Sequence, residues 1–179
     1  MSTESAVTRF QLRDAYRQEL ATYAQRQYSA ELVGNIDRAK RLRTRLRDDR
    51  SAVGMGAGRY VYPLPERAVD RGVSGAYVLK LAVPNDGLGG RDGREQNRRE
   101  AETWTATRSR HLVPVVAADD RGYWLVMPRG EPVEEGPSLD RWADRARDAL
   151  DEAVWGTEIS ARNVVRIDGQ FRLCDYGVS

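Results

Sequence analysis

The sequence predicts an α+β fold, and three observations carry that expectation. The chain begins with a long stretch at helical spacing and without proline. Its middle is a series of short apolar runs joined by Gly- and Asp-bearing turns, the pattern of antiparallel strands. It ends in a hairpin whose apolar residues alternate. The 179 residues suit one compact domain or a domain with an appendage. That length can bury a core without a disulfide or a structural metal. Cys174 is the single cysteine and His111 the single histidine. These counts set aside disulfides, Cys-based zinc, Ser/His/Asp triads and His-rich metal sites. The N-terminal residues Met1 to Ser5 are polar with no apolar core behind them, and no run reaches the length of a membrane span. A cytoplasmic protein with no membrane partner is expected.

Residues 1–50 form the first expected segment. Tyr16, Leu20 and Tyr23 recur at helical spacing from about Ala6 onward, as do Leu32, Ile36, Ala39 and Leu46. The segment is either one long helix or, with Gly34-Asn35 as a breaker, a helical hairpin. Its second half carries Arg38, Lys40, Arg41, Arg43, Arg45, Arg47 and Arg50. Nucleic-acid binding is one reading of those cations. A solvated helix face is the favoured one, because Asp37, Asp48 and Asp49 interleave and the net charge is only +2. A protein partner or self-association through these helices is the other expectation.

Residues 51–130 change character. Gly54, Gly56 and Gly58 alternate, giving a backbone able to approach a ligand closely, or a plain linker. A strand follows from Arg59 to Tyr62. A second runs from Ala76 to Val83 and contains Lys80. Of 29 Lys and Arg residues only Lys40 and Lys80 are lysine. A lysine retained among apolar neighbours in such a chain is informative: it lies at an edge, or it pairs with phosphate or carboxylate in a cleft. Arg94 to Arg110 reads as a helix with Asn97, Glu100, Ala101 and Trp104 on one face, and a helical glutamate beside a buried tryptophan is usually solvated. Leu112 to Val116 and Tyr123 to Pro128 read as strands flanking a turn at Asp119 to Gly122.

Residues 131–179 begin with an acidic linker, Glu131 to Pro137. Ser138 is expected to cap a helix reaching about Val154, with Leu139, Trp142, Ala146 and Leu150 as its stripe. The closing hairpin turns at Asp168-Gly169. A three-residue loop, Asp168 to Gln170, sets Ile167 opposite Phe171, Val165 opposite Leu173 and Asn163 opposite Asp175. Two oxygen-bearing side chains would then meet where the strands finish, as a hard cation requires. The plain alternative is a hairpin with polar ends.

Taken in order, these motifs resemble those of the protein kinase superfamily. Gly54-Met-Gly56-Ala-Gly58-Arg-Tyr-Val61 is similar to its glycine-rich loop, with the third glycine one position early. Tyr77-Val-Leu-Lys80 resembles the strand whose lysine holds the ATP phosphates. Glu100 resembles the helix glutamate that pairs with that lysine, and Glu102 is the alternative. Met127 would gate the adenine pocket, with Pro128 and Arg129 along the hinge. Asn163 resembles the asparagine of the catalytic loop, and Asp175-Tyr-Gly177 resembles the Asp-Phe-Gly motif. In the family these last two hold Mg2+ against the phosphates. The resemblance implies a kinase-like α+β fold: an antiparallel N-lobe with one Glu-bearing helix, and a minimal C-lobe of a helix and a hairpin. It implies ATP and Mg2+ as cofactors. It covers about residue 52 to the end, not the N-terminal helices. Glu158 stands where the family places its catalytic Asp, and the sequence holds only Val178 and Ser179 after Gly177. A strongly reduced C-lobe is therefore expected. Transfer of the γ-phosphate to a protein or small-molecule hydroxyl is one expectation and an inactive pseudokinase-like interaction module the other.

Overall fold

The computed structural model describes residues 10–48, 54–56, 58–73, 75–85, 92–150, 157 and 159–177. Strand β1 (Gln11–Leu12) leads into helices α1 (Asp14–Leu32) and α2 (Ile36–Thr44). Strands β2 (Gly54–Gly56), β3 (Arg59–Pro63), β4 (Val69–Arg71) and β5 (Tyr77–Ala82) follow. Helix α3 (Gly93–Thr107) precedes β6 (Ala117–Ala118), β7 (Trp124–Pro128) and β8 (Glu131–Pro132). Helix α4 (Pro137–Leu150) and the strands β9 (Val164–Ile167) and β10 (Gln170–Leu173) complete the order. The fold is α+β with antiparallel sheets. The central sheet runs β2-β3-β5-β7-β6, and a smaller one runs β10-β9-β8.

Strand alternation divides the central sheet into two buried faces. Tyr62, Leu79, Leu81, Trp124 and Val126 lie on the outer face, packed with Tyr16, Leu20, Ala24 and Leu46 of the N-terminal helices. Val78, Leu125 and Met127 lie on the inner face, in one cluster with Leu139, Trp142, Ala146, Val164 and Leu173. Every residue of β5 is buried, because both its faces are covered. Lys80 shares the inner face with Val78.

The N-terminal segment is a helical hairpin with its break at Gly34, whose φ is +73°. Asn35 caps α2 by accepting from the Arg38 amide at 3.2 Å. One expectation fails here. Helix does not extend back to Phe10, because Gln11–Leu12 pairs with β4 and buries Leu12. Leu32 and Ile36 lie in the helices as expected but are 63% and 46% exposed, beside Val33 at 78%, at the turn between them. The basic face is partly consumed inside the molecule. Arg43 is buried, bonded to Glu31 and Gln27 and stacked 4.2 Å over the Tyr60 ring. Arg41 and Arg45 remain exposed.

The segment expected as one strand at Leu112 to Val116 is shared between the two sheets. Val113 donates to the Leu173 carbonyl and Val116 to the Val126 carbonyl. Pro114, with no N–H, interrupts any continuous ladder between them. Helix α4 starts at Pro137 rather than being capped by Ser138, and proline suits a first helical position. Its stripe is buried as expected, while Val154 lies outside the described residues. The expected acidic linker contains β8, which pairs with β9.

The closing hairpin differs from expectation by one residue. Its loop has two residues: Gln170 pairs with Ile167, Phe171 with Arg166, Arg172 with Val165, and Leu173 with Val164. Asp168 and Gly169 both have positive φ, 51° and 75°, which is the tight turn that Asp-Gly favours between twisted strands. A one-residue shift exchanges the faces. Val164, not Val165, pairs with Leu173 in the core, and Asn163 lies against Cys174 rather than Asp175.

Replacing Leu20 by Ala removes a fully buried side chain from the helix–sheet contact and should cost about 2–5 kcal/mol in urea denaturation. The same change at exposed Leu32 should stay within about 0.5 kcal/mol. Equal losses at both positions would refute this seating of the N-terminal helices.

Candidate functional site

The site is a buried ion network on the inner face. From β5, Lys80 Nζ reaches Glu100 Oε2 at 2.9 Å, Glu100 Oε1 at 3.1 Å and the Cys174 carbonyl at 2.5 Å. An ammonium has three N–H groups, and all three are engaged. Glu100 comes from α3, whose turns place Gln96, Asn97, Glu100 and Trp104 on the buried side. Its carboxylate has no exposed surface, whereas Glu102 is exposed. Glu100 is therefore the partner of Lys80.

A third charge completes the network. Arg59, at the start of β3, is 4% exposed. Its Nη1 lies 2.9 Å from Glu100 Oε1 and donates to Asn97 Oδ1 at 3.3 Å. Its Nη2 bonds the Asp175 carboxylate. Asn97 in turn donates to the Gly122 carbonyl at 2.9 Å. Two cations and two carboxylates balance, as a buried cluster requires. Burial alone would raise the Asp175 carboxyl pKa. The facing Arg59 and Lys80 outweigh it and hold the group below its ordinary range. Desolvation likewise works against the Arg59 guanidinium, and the Glu100 and Asp175 charges keep it protonated. Burial pushes the neighbouring Cys174 thiol up to about 11, which leaves it un-ionised at neutral pH.

Two glycines permit this approach. A Cβ on Gly177 would sit 2.2 Å from the Gln96 carbonyl oxygen and 2.9 Å from Glu100 Cγ, so the segment after Asp175 lies directly on α3. A Cβ on Gly93 would meet the Gly58 carbonyl oxygen at 1.8 Å, which presses the start of α3 against the glycine turn. Tyr176 locks the same segment from the other side, donating its hydroxyl to the Val113 carbonyl at 2.7 Å.

The remaining expected residues fall around this network. Gly54 and Gly56 lie in β2, and Gly58, with φ +111°, turns the chain into β3. Met127 is buried opposite Val78. Pro128 ends β7, and the exposed Arg129 donates its backbone N–H to Ala76. Asn163 accepts from the Cys174 amide through its backbone carbonyl at 2.8 Å. Glu158 lies outside the described residues. Arg59 was not anticipated. The signal was available: period-two alternation puts Arg59 and Val61 on one face and the two tyrosines on the other. The cavities of about 400 and 540 Å3 lie elsewhere, one beneath Pro132 to Leu139 and the other between α1 and the start of α2.

The resemblance assigns Mg2+ to Asn163 and Asp175, and the donor set does not fit that ion as arranged. Among the described residues no group of three His, Cys, Asp or Glu side chains is placed to hold a metal. The Asp175 carboxylate is already held by a guanidinium. A small hard cation needs several oxygen ligands in near-octahedral array.

Glu100→Gln should be the most damaging single change here, at about 3–5 kcal/mol in denaturant unfolding, because it leaves Lys80 and Arg59 together without their shared carboxylate. Lys80→Met should cost less, since Arg59 still compensates Glu100; the reverse order would refute the shared network. The Asp175 contribution has a definite pH sign. Its folded pKa is depressed, so its stabilisation is complete above the ordinary value near 3.8 and is lost as pH falls through the lower folded value. The stability gap between wild type and Asp175→Asn should therefore be constant from neutral pH to about pH 5 and close in stronger acid. A gap that widens on acidification would contradict the pairing.

No family model matches the chain, and no curated protein matches its sequence.

Proposed function

We propose that this chain is a kinase-like nucleotide-binding module that does not transfer phosphate. The carrying observation is the buried Lys80–Glu100 pair, joined through Arg59 to Asp175. Other features support it. The Glu-bearing helix packs on a five-stranded antiparallel sheet, and a Gly-rich hairpin turns into the strand beside the lysine strand. Apolar Val61, Val78, Met127 and Val165 belong to one core cluster on the side of the sheet that carries Lys80. Lys80 and Arg59 are the cations of the network, and a phosphate would compete with Glu100 and Asp175 for them.

Against transfer stands the state of Asp175. Phosphoryl transfer relies on metal ions to neutralise charge developing on the phosphate oxygens. Here the carboxylate assigned to that ion by resemblance is paired within the protein. An interaction module of the pseudokinase kind follows, with nucleotide as ligand.

A thermal-shift titration with ATP tests the reading. At a concentration 100 times its Kd the nucleotide should stabilise the wild type by about 2.7 kcal/mol, and Lys80→Met should lose most of that effect. Incubation with γ-labelled ATP should leave the protein and added acceptor proteins unlabelled. Absence of any shift would remove the nucleotide, and transfer of label would make the module an enzyme.

A further inference from the structure

We infer that Arg59 takes the place of a divalent cation at the outward end of this network, so that the ligand there is a metal-free nucleoside triphosphate. The inference rests on the nucleotide-binding reading above. A metal beside a triphosphate has one electrostatic task before any chemistry: it lets phosphate oxygens approach a carboxylate without net repulsion. Arg59 already performs that task for Asp175. Its charge is permanent over the physiological pH range. It is fixed from three sides, by Glu100, Asn97 and Asp175. It also follows directly on Gly58, so the glycine turn and the cation share one short piece of backbone.

The outward end of the network is the Asp175 side chain, which is 37% exposed, while Arg59 and Lys80 lie behind it at 5% and 7%. A phosphate arriving at that end meets a carboxylate already neutralised. The guanidinium fork suits phosphate and carboxylate oxygens alike, so a phosphate oxygen can share it with Asp175. A divalent ion arriving at the same point meets a buried cation and a single carboxylate that the cation holds. Metal binding at that point is opposed by charge as well as by donor number.

The test compares ATP binding by calorimetry in excess EDTA and in excess Mg2+, for wild type and for Arg59→Gln. Wild type should bind ATP in EDTA, and excess Mg2+, which ties ATP up as the metal complex, should weaken the apparent affinity rather than strengthen it. Arg59→Gln frees Asp175 and should bind about tenfold or more weakly in EDTA than in Mg2+. Mn2+ titration followed by electron paramagnetic resonance provides a reading that needs no folded Arg59 variant. Wild type with ATP should leave the Mn2+ signal as that of Mn2+-ATP alone. Wild-type binding that requires Mg2+, or a protein-bound Mn2+ signal abolished by Asp175→Asn, would overturn the inference and leave nucleotide binding intact. Absence of ATP binding in both conditions would instead overturn the nucleotide reading, and this inference with it.

Discussion

A carboxylate without any exposed surface sits at the centre of this molecule. Removing an ion such as Glu100 from water costs several kcal/mol unless it is paired and hydrogen-bonded. Two cations compensate it, and each arrives from a different strand: Lys80 from β5 and Arg59 from β3. Those strands are adjacent in the central sheet, so the sheet register sets where the two charges stand. The same requirement orients α3, whose buried side must present Glu100 and Asn97 together. It also explains why small residues border the helix, with Gly93 at its start and Gly177 against its middle turn. Losing the carboxylate would therefore disturb strand, helix and C-terminal segment at once.

The N-terminal helices make that arrangement affordable in solvent. A sheet that buries an ion network on one face exposes a second face of Tyr62, Leu79, Leu81, Trp124 and Val126. The helical hairpin covers it with Tyr16, Leu20, Ala24 and Leu46. Polar contacts pin the cover in place. Gln27, fully buried, donates to the Ala82 carbonyl at 2.6 Å, and Tyr28 donates to Asp92 Oδ2 at 2.5 Å. Asp92 is the cap of α3, accepting from the Arg94 amide. The outer helices thereby touch both the end of the lysine strand and the start of the glutamate helix. Their role in the fold is to fix the two elements that form the Lys80–Glu100 pair.

Guanidinium and metal ion both neutralise a carboxylate, and they differ in what they leave available. A metal ion keeps open coordination positions for phosphate oxygens and for a reacting group. A guanidinium spreads one charge over a plane and offers only hydrogen bonds. Arg59 paired with Asp175 therefore offers hydrogen bonds where a metal ion would offer coordination positions. This difference in chemistry separates the binding module proposed for this chain from a phosphotransferase with the same strand order.

Much of the architecture was legible because it rests on local rules. The break at Gly34-Asn35, the apolar stripe of α4, the turn at Asp119 to Gly122 and the lysine strand follow from propensity and periodicity. Lys80 stood out as a rare lysine on an apolar strand, whereas Glu100, on a helix face shared with Asn97 and Trp104, was singled out only by the resemblance, its residue pattern favouring a solvated glutamate. What misled the reading was register and competition between partners. One residue of loop length moved Asn163 from Asp175 to Cys174, and turn geometry, set by two positive φ angles, decides that length. The fate of the segment after Leu112 depended on which of two sheets received each of its amides. By itself the sequence determined the class of fold and most of its helices and longer strands, because these are encoded within a few neighbouring residues, whereas the Lys80–Glu100 pair was implied only by resemblance, with Glu102 as the alternative. Only the tertiary structure decided that Arg59 joins Glu100 to Asp175 across 116 residues of chain. That choice depends on which charges are left facing one another once both sheets close, and no local pattern carries it.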